Sequence, residues 1–192
     1  VHVAGKPILG HILDSLQPAG VDEVVLVVGY LGEKIVEYVK NTYDLKVQVV
    51  DQEERLGLGH AIWMTRDCVK PGEPILIVLG DTIVEADLGG VLERGVTAIG
   101  VREVDNPSSF GVVQLEGSRI VQLMEKPENP PTNLAVVGVY YITNSQLLYQ
   151  SLSEIIQGDI RKGGEFQLTD GLQRMIDAGE AMEVFGVEDW LD

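Results

Sequence analysis

Apolar runs and helical periodicities alternate through the first half of the chain. A helical repeat of apolar residues begins after Pro7 and stops at Gly20, and these residues are typical start and stop signals. The runs EVVLVV at 23–28 and PILIVL at 74–79 are continuously apolar, which is typical of strands buried on both faces of a parallel sheet. Further patterns predict a helix with Ile35, Val36 and Val39 facing inward, a strand at Lys46–Val50 and a helix at Ala61–Cys68.

The second half of the chain is richer in strand patterns. They predict strands at Thr97–Val101, Gly111–Leu115, Ile120–Leu123, Ala135–Ile142 and Met182–Val187, a hairpin turn at Glu116–Gly117, and helices at Ser145–Ile156 and Leu168–Ala178. The whole pattern predicts one α/β domain over 1–192: a Rossmann-like, mainly parallel mixed sheet with helices on both faces. We expect 97–142 to form a smaller antiparallel section, and 23–28 to share a sheet with 75–79.

Length, charge and cysteine content narrow the classes of function. The 192 residues suit one domain with one sizeable core. The net charge of −16 argues against a nucleic-acid partner, because phosphate backbones bind surfaces with clustered Lys and Arg. No apolar run approaches the roughly 20 residues of a membrane span, so we expect no membrane partner. Cys68 is the single cysteine, which excludes an intrachain disulfide and a thiolate metal cluster and fits a cytoplasmic protein.

Asp81 follows the most apolar run, at the carboxyl end of the predicted strand. Open α/β sheets bind ligands outside these strand ends, and a carboxylate there can hold a hard cation such as Mg²⁺. Gly80-Asp81 is also typical of a turn in which the aspartate caps the next helix. The residues by themselves leave both interpretations open.

Two further segments contain residue types that suit phosphates, bases and sugars. The segment QEERLGLGHA, from Gln52 to Ala61, places glycines before a helix, where backbone can approach a ligand closely. In EKP, Lys126 offers a point charge to a phosphate and Glu125 an acceptor for sugar hydroxyls. Each segment also has a structural interpretation, as a helix entry or as a solvated ion pair. His60 fits a structural or capping role better than that of a catalytic base.

The order of the short motifs is more specific than any one of them. KPILGHIL, GYLG, QEERLGLGHA, LGDT, FGVV, EKP, GVYYI, GEFQLTD and WLD follow one another along the chain. This series resembles the sugar-1-phosphate nucleotidyltransferases, particularly the glucose-1-phosphate thymidylyltransferases and uridylyltransferases, and it covers essentially the whole chain. The resemblance implies the nucleotide-diphospho-sugar transferase fold. It also implies Mg²⁺-dependent transfer of a nucleotidyl group from dTTP or UTP to a sugar-1-phosphate such as glucose-1-phosphate, with release of pyrophosphate.

The resemblance also implies roles for individual residues. Lys6 and Lys126 match lysines that contact the phosphates, and Asp81 and Asp192 match the two carboxylates that hold the metal. Gln52 and Gly57 match positions that read the pyrimidine edge. Positions that match the sugar site are Gly111, Glu125, Gly138, Tyr140, Glu165 and Thr169. Family members often form dimers or tetramers, which makes a homo-oligomer one possible assembly.

One departure from the family pattern changes these expectations. The family opens with a strand and a Gly-rich loop, reading roughly GGxGTRLxP, just before the Lys-Pro element, and this sequence lacks both. We therefore expect a chain truncated at both ends relative to the family, with an open slot beside Val24–Val28 where that strand belongs. Two alternatives remain: a non-catalytic homologue that binds sugar phosphates or nucleotide sugars in a regulatory role, and a purely structural α/β domain of a larger enzyme.

Overall fold

The structure is a computed structural model that describes residues 1–191. Its strands are β1 (His2–Val3), β2 (Lys6–Pro7), β3 (Glu23–Val28), β4 (Lys46–Asp51), β5 (Ile75–Val78), β6 (Ile83–Glu85), β7 (Thr97–Glu103), β8 (Gly111–Glu116), β9 (Arg119–Glu125), β10 (Leu134–Ile142), β11 (Met182–Gly186) and β12 (Asp189–Leu191). Its helices are α1 (Ile8–Leu16), α2 (Gly32–Thr42), α3 (Leu58–Met64), α4 (Leu88–Glu93), α5 (Ser145–Gln157) and α6 (Leu168–Asp177). The order confirms a mixed α/β class.

The strands form one large sheet and three two-stranded pairs. The large sheet has six strands in the order β5-β10-β7-β11-β9-β8, and the pairs are β3 with β4, β1 with β2, and β6 with β12. Within residues 1–191 only β3–β4 and β7–β11 pair in parallel. The expectation of a mainly parallel sheet is therefore wrong for the hydrogen-bonded pairs, because hairpins and long antiparallel pairings to β10 make up most of the large sheet.

A deep cleft separates β3 from β5. The two strands lie in different sheets, so the prediction that 23–28 and 75–79 share one sheet is wrong. Each is an edge strand, and residues Val24–Val28 and Ile75–Leu79 line a cleft of about 1320 Å³ between them. The open slot expected beside Val24–Val28 is present. In the part of the chain that the structure describes, no strand lies between β3 and β5 to hydrogen-bond with both of them. The two apolar runs therefore belong to separate sheets, although their sequence patterns are alike.

Helices cover both faces of the large sheet, as expected. On one face, Ile99 and Leu172 belong to a core formed with α3, α5 and α6. On the other face, Ala98 and Val139 pack with α1, α2 and α4. Successive residues such as Ala98 and Ile99 enter opposite cores because side chains alternate along a strand. The large sheet is thus buried on both sides, and its long apolar strands reflect this.

Some local predictions need correction. Ile35 was expected to face inward with Val39, but Ile35 is 36% exposed and lines the cleft, whereas Val39 is fully buried. The short elements β6, α4 and β12 were not predicted, since three to six residues are too few to establish a periodicity. Among residues 1–191, no helix is both long and apolar enough to cross a membrane.

Candidate active site

A cavity of about 220 Å³ lies where β8, β9 and β10 meet the start of α6. Gly111 begins β8 and pairs with Glu125, which ends β9. The hydroxyl of Thr169, in the first turn of α6, donates a 3.0 Å hydrogen bond to Oε2 of Glu125. A Cβ at Gly111 would lie 3.1 Å from the Thr169 methyl group and 3.3 Å from Glu125 Oε2. The absence of a side chain at Gly111 therefore allows the helix and the carboxylate to approach each other.

Lys126 follows Glu125 and also lines this cavity. Its φ of +38° lies in the left-handed region that non-glycine residues rarely adopt, and its amide donates to the Phe110 carbonyl at 3.1 Å. Unfavourable backbone conformations persist where the surrounding structure holds them, often at functional sites. The turn thus places an exposed cation next to Glu125 in the chain, at the same cavity.

The floor of the cavity comes from β10, where the pairing to β7 is irregular between Val136 and Tyr140. Gly138 lies in this irregular segment with a φ of +80°, and a Cβ there would lie 2.9 Å from the Leu79 side chain. Tyr140 is 4% exposed and lines the cavity. Burial, with the nearby Glu125 charge, raises the pKa of the Tyr140 hydroxyl well above its ordinary value. Tyr140 therefore stays neutral and can serve as a hydrogen-bonding group.

Two aromatic residues form a wall that the residue assignments missed. The rings of Phe110 and Trp190 meet edge to face with centroids 5.0 Å apart, and both line the cavity. The indole N–H of Trp190 is buried without a hydrogen-bond partner among the described residues. The WLD motif contained the signal, but Trp190 reaches the cavity only through the pairing of β12 with β6.

The large cleft adjoins the small cavity. Leu58 and Leu79 line both the cleft and the cavity, whereas Gln52 and Asp81 line only the cleft. Positions predicted for the base and positions predicted for the sugar are thus distributed over two adjoining spaces. Such an arrangement can hold two ligands with their reacting ends near the shared leucines.

Gly57 and Glu165 are close to each other but line neither space. The segments 56–59 and 165–167 run side by side, with Phe166 N donating to Leu56 O and Gly59 N donating to Phe166 O, both at 2.8 Å. A Cβ at Gly57 would lie 2.7 Å from Glu165 Cβ and 2.8 Å from the Phe166 carbonyl oxygen. With a φ of +98°, Gly57 occupies a conformation suited to glycine alone.

The assignment of Asp81 and Asp192 as metal ligands stays a prediction. Asp81 is exposed beyond the end of β5, and the Thr82 hydroxyl lies 3.3 Å from its Oδ1. Asp192 lies outside the described residues. Residues 1–191 contain no group of three His, Cys, Asp or Glu side chains arranged to hold a metal. One or two carboxylates nevertheless suit Mg²⁺, which usually takes its remaining ligands from water and substrate phosphates.

Lys6 lines neither space, although Pro7 beside it lines the cleft. Its ammonium pairs with the Asp14 carboxylate on α1, and this contact holds the pKa of Asp14 below its usual value. Tyr43 donates to the Gly10 carbonyl at 3.0 Å and to Asp14 Oδ1 at 2.9 Å. The phosphate contact of Lys6 stays a prediction, and the contacts seen here join α1 to the end of α2.

Comparisons with known proteins identify the family of this chain. The family model for nucleotidyl transferases matches residues 1–192. The chain is 33% identical to the bifunctional protein GlmU of Methanococcus vannielii, covering 98% of this chain and 44% of that protein. It is 32% identical to the UTP–glucose-1-phosphate uridylyltransferase AglF of Haloferax volcanii, covering 99% of this chain and 79% of that protein.

The fold has a solved counterpart. The crystal structure of a UDP-glucose pyrophosphorylase complexed with UDP-glucose matches with a TM-score of 0.84 at 23% identity, covering 98% of this chain and 82% of that one. The chain spans less than half the length of the GlmU relatives that it matches. The family model and the relatives above 30% identity show that the chain belongs to the nucleotidyl transferase family.

Proposed function

We propose that the protein transfers a nucleotidyl group from UTP or dTTP to a sugar-1-phosphate, forming a nucleotide-diphosphate sugar and pyrophosphate. The observation that carries this proposal is the junction of the two spaces at Leu58 and Leu79. The small cavity suits a sugar phosphate, and the cleft suits a nucleotide. The relative AglF is named for UTP and glucose-1-phosphate, which supports these as the first substrates to test.

The small cavity contains the groups that a sugar-1-phosphate requires. Glu125, held by the Thr169 hydroxyl, accepts hydrogen bonds from sugar hydroxyls, and Tyr140 lies beside it. Lys126 supplies a cation for the phosphate at the rim.

The proposed chemistry needs positioning more than proton transfer. A phosphate oxygen of the sugar-1-phosphate is already anionic, so it attacks the α-phosphorus of the nucleotide without a protein base. A new P–O bond forms while the bond between the α- and β-phosphates breaks, and pyrophosphate leaves with the electron pair. Holding the two phosphates in line at the junction supplies most of the rate, as in other phosphoryl transfers.

Asp81 and Asp192 are the proposed metal ligands. Exposed carboxylate oxygen at Asp81 suits Mg²⁺, which when bound neutralises charge on the nucleotide phosphates. Gln52 and Gly57 are proposed to contact the base, and Glu165 the sugar. Lys6, which pairs with Asp14 in this structure, is proposed to contact the substrate phosphates.

The proposal is tested by pyrophosphate release in the full-length protein. A panel would combine UTP, dTTP, CTP, ATP and GTP with several sugar-1-phosphates, with and without Mg²⁺. We expect release with UTP or dTTP that depends on both Mg²⁺ and the sugar-1-phosphate. Sugar-phosphate binding without release under every condition would instead favour the non-catalytic alternative.

Variants of the proposed metal ligands sharpen this test. Asp81→Asn and Asp192→Asn should each lower Mg²⁺-dependent turnover by orders of magnitude without unfolding the protein. Asp105→Asn is a suitable control, because Asp105 is exposed and lines neither space. Near-normal turnover in both metal-ligand variants would contradict the metal assignment.

A further inference from the structure

The Gln52 carboxamide is held by two contacts that use the same atom. Gln52 Nε2 lies 3.3 Å from the Gly57 carbonyl oxygen and 3.3 Å from Nδ1 of His60. A carbonyl oxygen only accepts, so the amino group of Gln52 must face it. That amino group then also donates to His60 Nδ1, which must be unprotonated. The contacts therefore specify a neutral His60 that carries its proton on Nε2.

Aromatic neighbours hold the His60 ring in place. It stacks on Trp63 with centroids 6.0 Å apart and lies 6.4 Å from the centroid of Phe166. The guanidinium of Arg66 covers Trp63 at 3.8 Å, and that of Arg161 covers Phe166 at 4.3 Å. The ring is thus fixed between two aromatic side chains, with its Nδ1 directed at Gln52.

The surroundings also favour the neutral ring. Burial lowers the pKa of His60 below its ordinary value of 6.5, the Arg161 charge lowers it further, and the Glu54 carboxylate opposes them. Protonation would place an N–H at Nδ1 against the amino group of Gln52. Reversing the carboxamide would relieve that conflict but would place two oxygens together at Gly57. Neutral His60 and the Gly57 carbonyl therefore select one orientation of Gln52.

We infer that His60 is a positioning residue that holds Gln52 with its oxygen free for the base, so that the site selects uracil or thymine over cytosine. Uracil and thymine present an N–H at position 3, which that oxygen accepts. Cytosine presents a lone pair there, which the oxygen repels. The inference rests on the proposed function only in taking the cleft beside Gln52 as the nucleotide site.

Two variants separate hydrogen bonding from stacking. His60→Phe keeps an aromatic ring between Trp63 and Phe166 but has no acceptor, whereas His60→Asn keeps a polar atom near Nδ1 and loses the ring. Calorimetry on the full-length protein would measure the affinities for UTP and CTP with Mg²⁺. We expect the UTP-to-CTP ratio to fall about tenfold in His60→Phe, as for one hydrogen bond, and to be largely kept in His60→Asn.

The opposite ranking of the variants, or an unchanged ratio in His60→Phe, would overturn the inference. Because binding is measured, this outcome is distinct from a failure of pyrophosphate release, which would count against the proposed function. Nitrogen NMR of His60 gives a second readout. The proton should lie on Nε2 near neutral pH, and the UTP preference should decline as His60 is protonated below pH 6.5. A proton on Nδ1 would contradict the inference directly.

Discussion

Thr169 donates a 3.0 Å hydrogen bond to the carboxylate of Glu125, which joins the first turn of α6 to the end of β9. Thr169 is 4% exposed, so its hydroxyl has little access to water. The bond holds Glu125 at the edge of the small cavity, where the proposed function requires an acceptor. Its contribution can be measured independently of any substrate.

Replacing Thr169 with Val should destabilise the protein and weaken sugar-phosphate binding. Loss of a hydrogen bond to a charged group costs about 1.5–3 kcal/mol. Urea unfolding would measure the stability, and Michaelis constants the binding. Thr169→Ser keeps the hydroxyl and should retain most of both. A larger effect of Thr169→Ser than of Thr169→Val would show that the methyl group, rather than the hydrogen bond, is what matters.

Lys126→Asn should raise the Michaelis constant for the sugar-1-phosphate at least about tenfold, since a charged contact is worth about 1.5–3 kcal/mol. Asn tolerates the left-handed backbone region that Lys126 occupies, so folding should be preserved. Lys40→Gln removes an exposed cation that lines neither space and serves as the control. An unchanged Michaelis constant would remove Lys126 from the site.

Gly57→Ala should be more destabilising than Gly117→Ala. Both glycines have positive φ, but a Cβ at Gly57 would lie 2.7 Å from Glu165 Cβ, whereas nothing lies within 4 Å at Gly117. Alanine in the left-handed region costs about 1–2 kcal/mol, which estimates the Gly117 variant. Thermal unfolding of the two variants would isolate the steric part. Similar losses would mean that segment 165–167 yields without cost.

In Tyr43→Phe, the free energy of unfolding should fall less steeply with rising pH above pH 10.0 than in the unmodified protein. Burial, with hydrogen bonds to Tyr38 and Asp14, raises the pKa of Tyr43 above its ordinary value of 10.0. Its contribution is therefore complete below pH 10.0 and is lost as the pH rises toward the folded-state pKa. Unfolding free energies across this range would measure it. Tyr30→Phe, at a residue 81% exposed, should behave like the unmodified protein.

The elements with long periodic patterns were predicted from sequence. The helix α1, the strands β3 and β5, and the helices α5 and α6 all appear where their apolar repeats indicated. These patterns are local, because each repeats within one element and reflects which of its faces is buried. The motif series also predicted the family, which the family model confirms.

The grouping of the site residues was decided by the tertiary structure. Gly111, Glu125 and Thr169 meet because β8 pairs with β9 and α6 packs against them, and no local pattern encodes that meeting. The same holds for Trp190, which reaches the cavity through the pairing of β12 with β6.

Sequence by itself determined most of the longer strands and helices, and the family to which the chain belongs. Only the tertiary structure decided that β3 and β5 face each other across a cleft instead of sharing a sheet. The physical reason is that an apolar run indicates only that the side chains of a strand are buried. Which sheet the strand joins depends on which neighbouring strand forms hydrogen bonds along each of its edges.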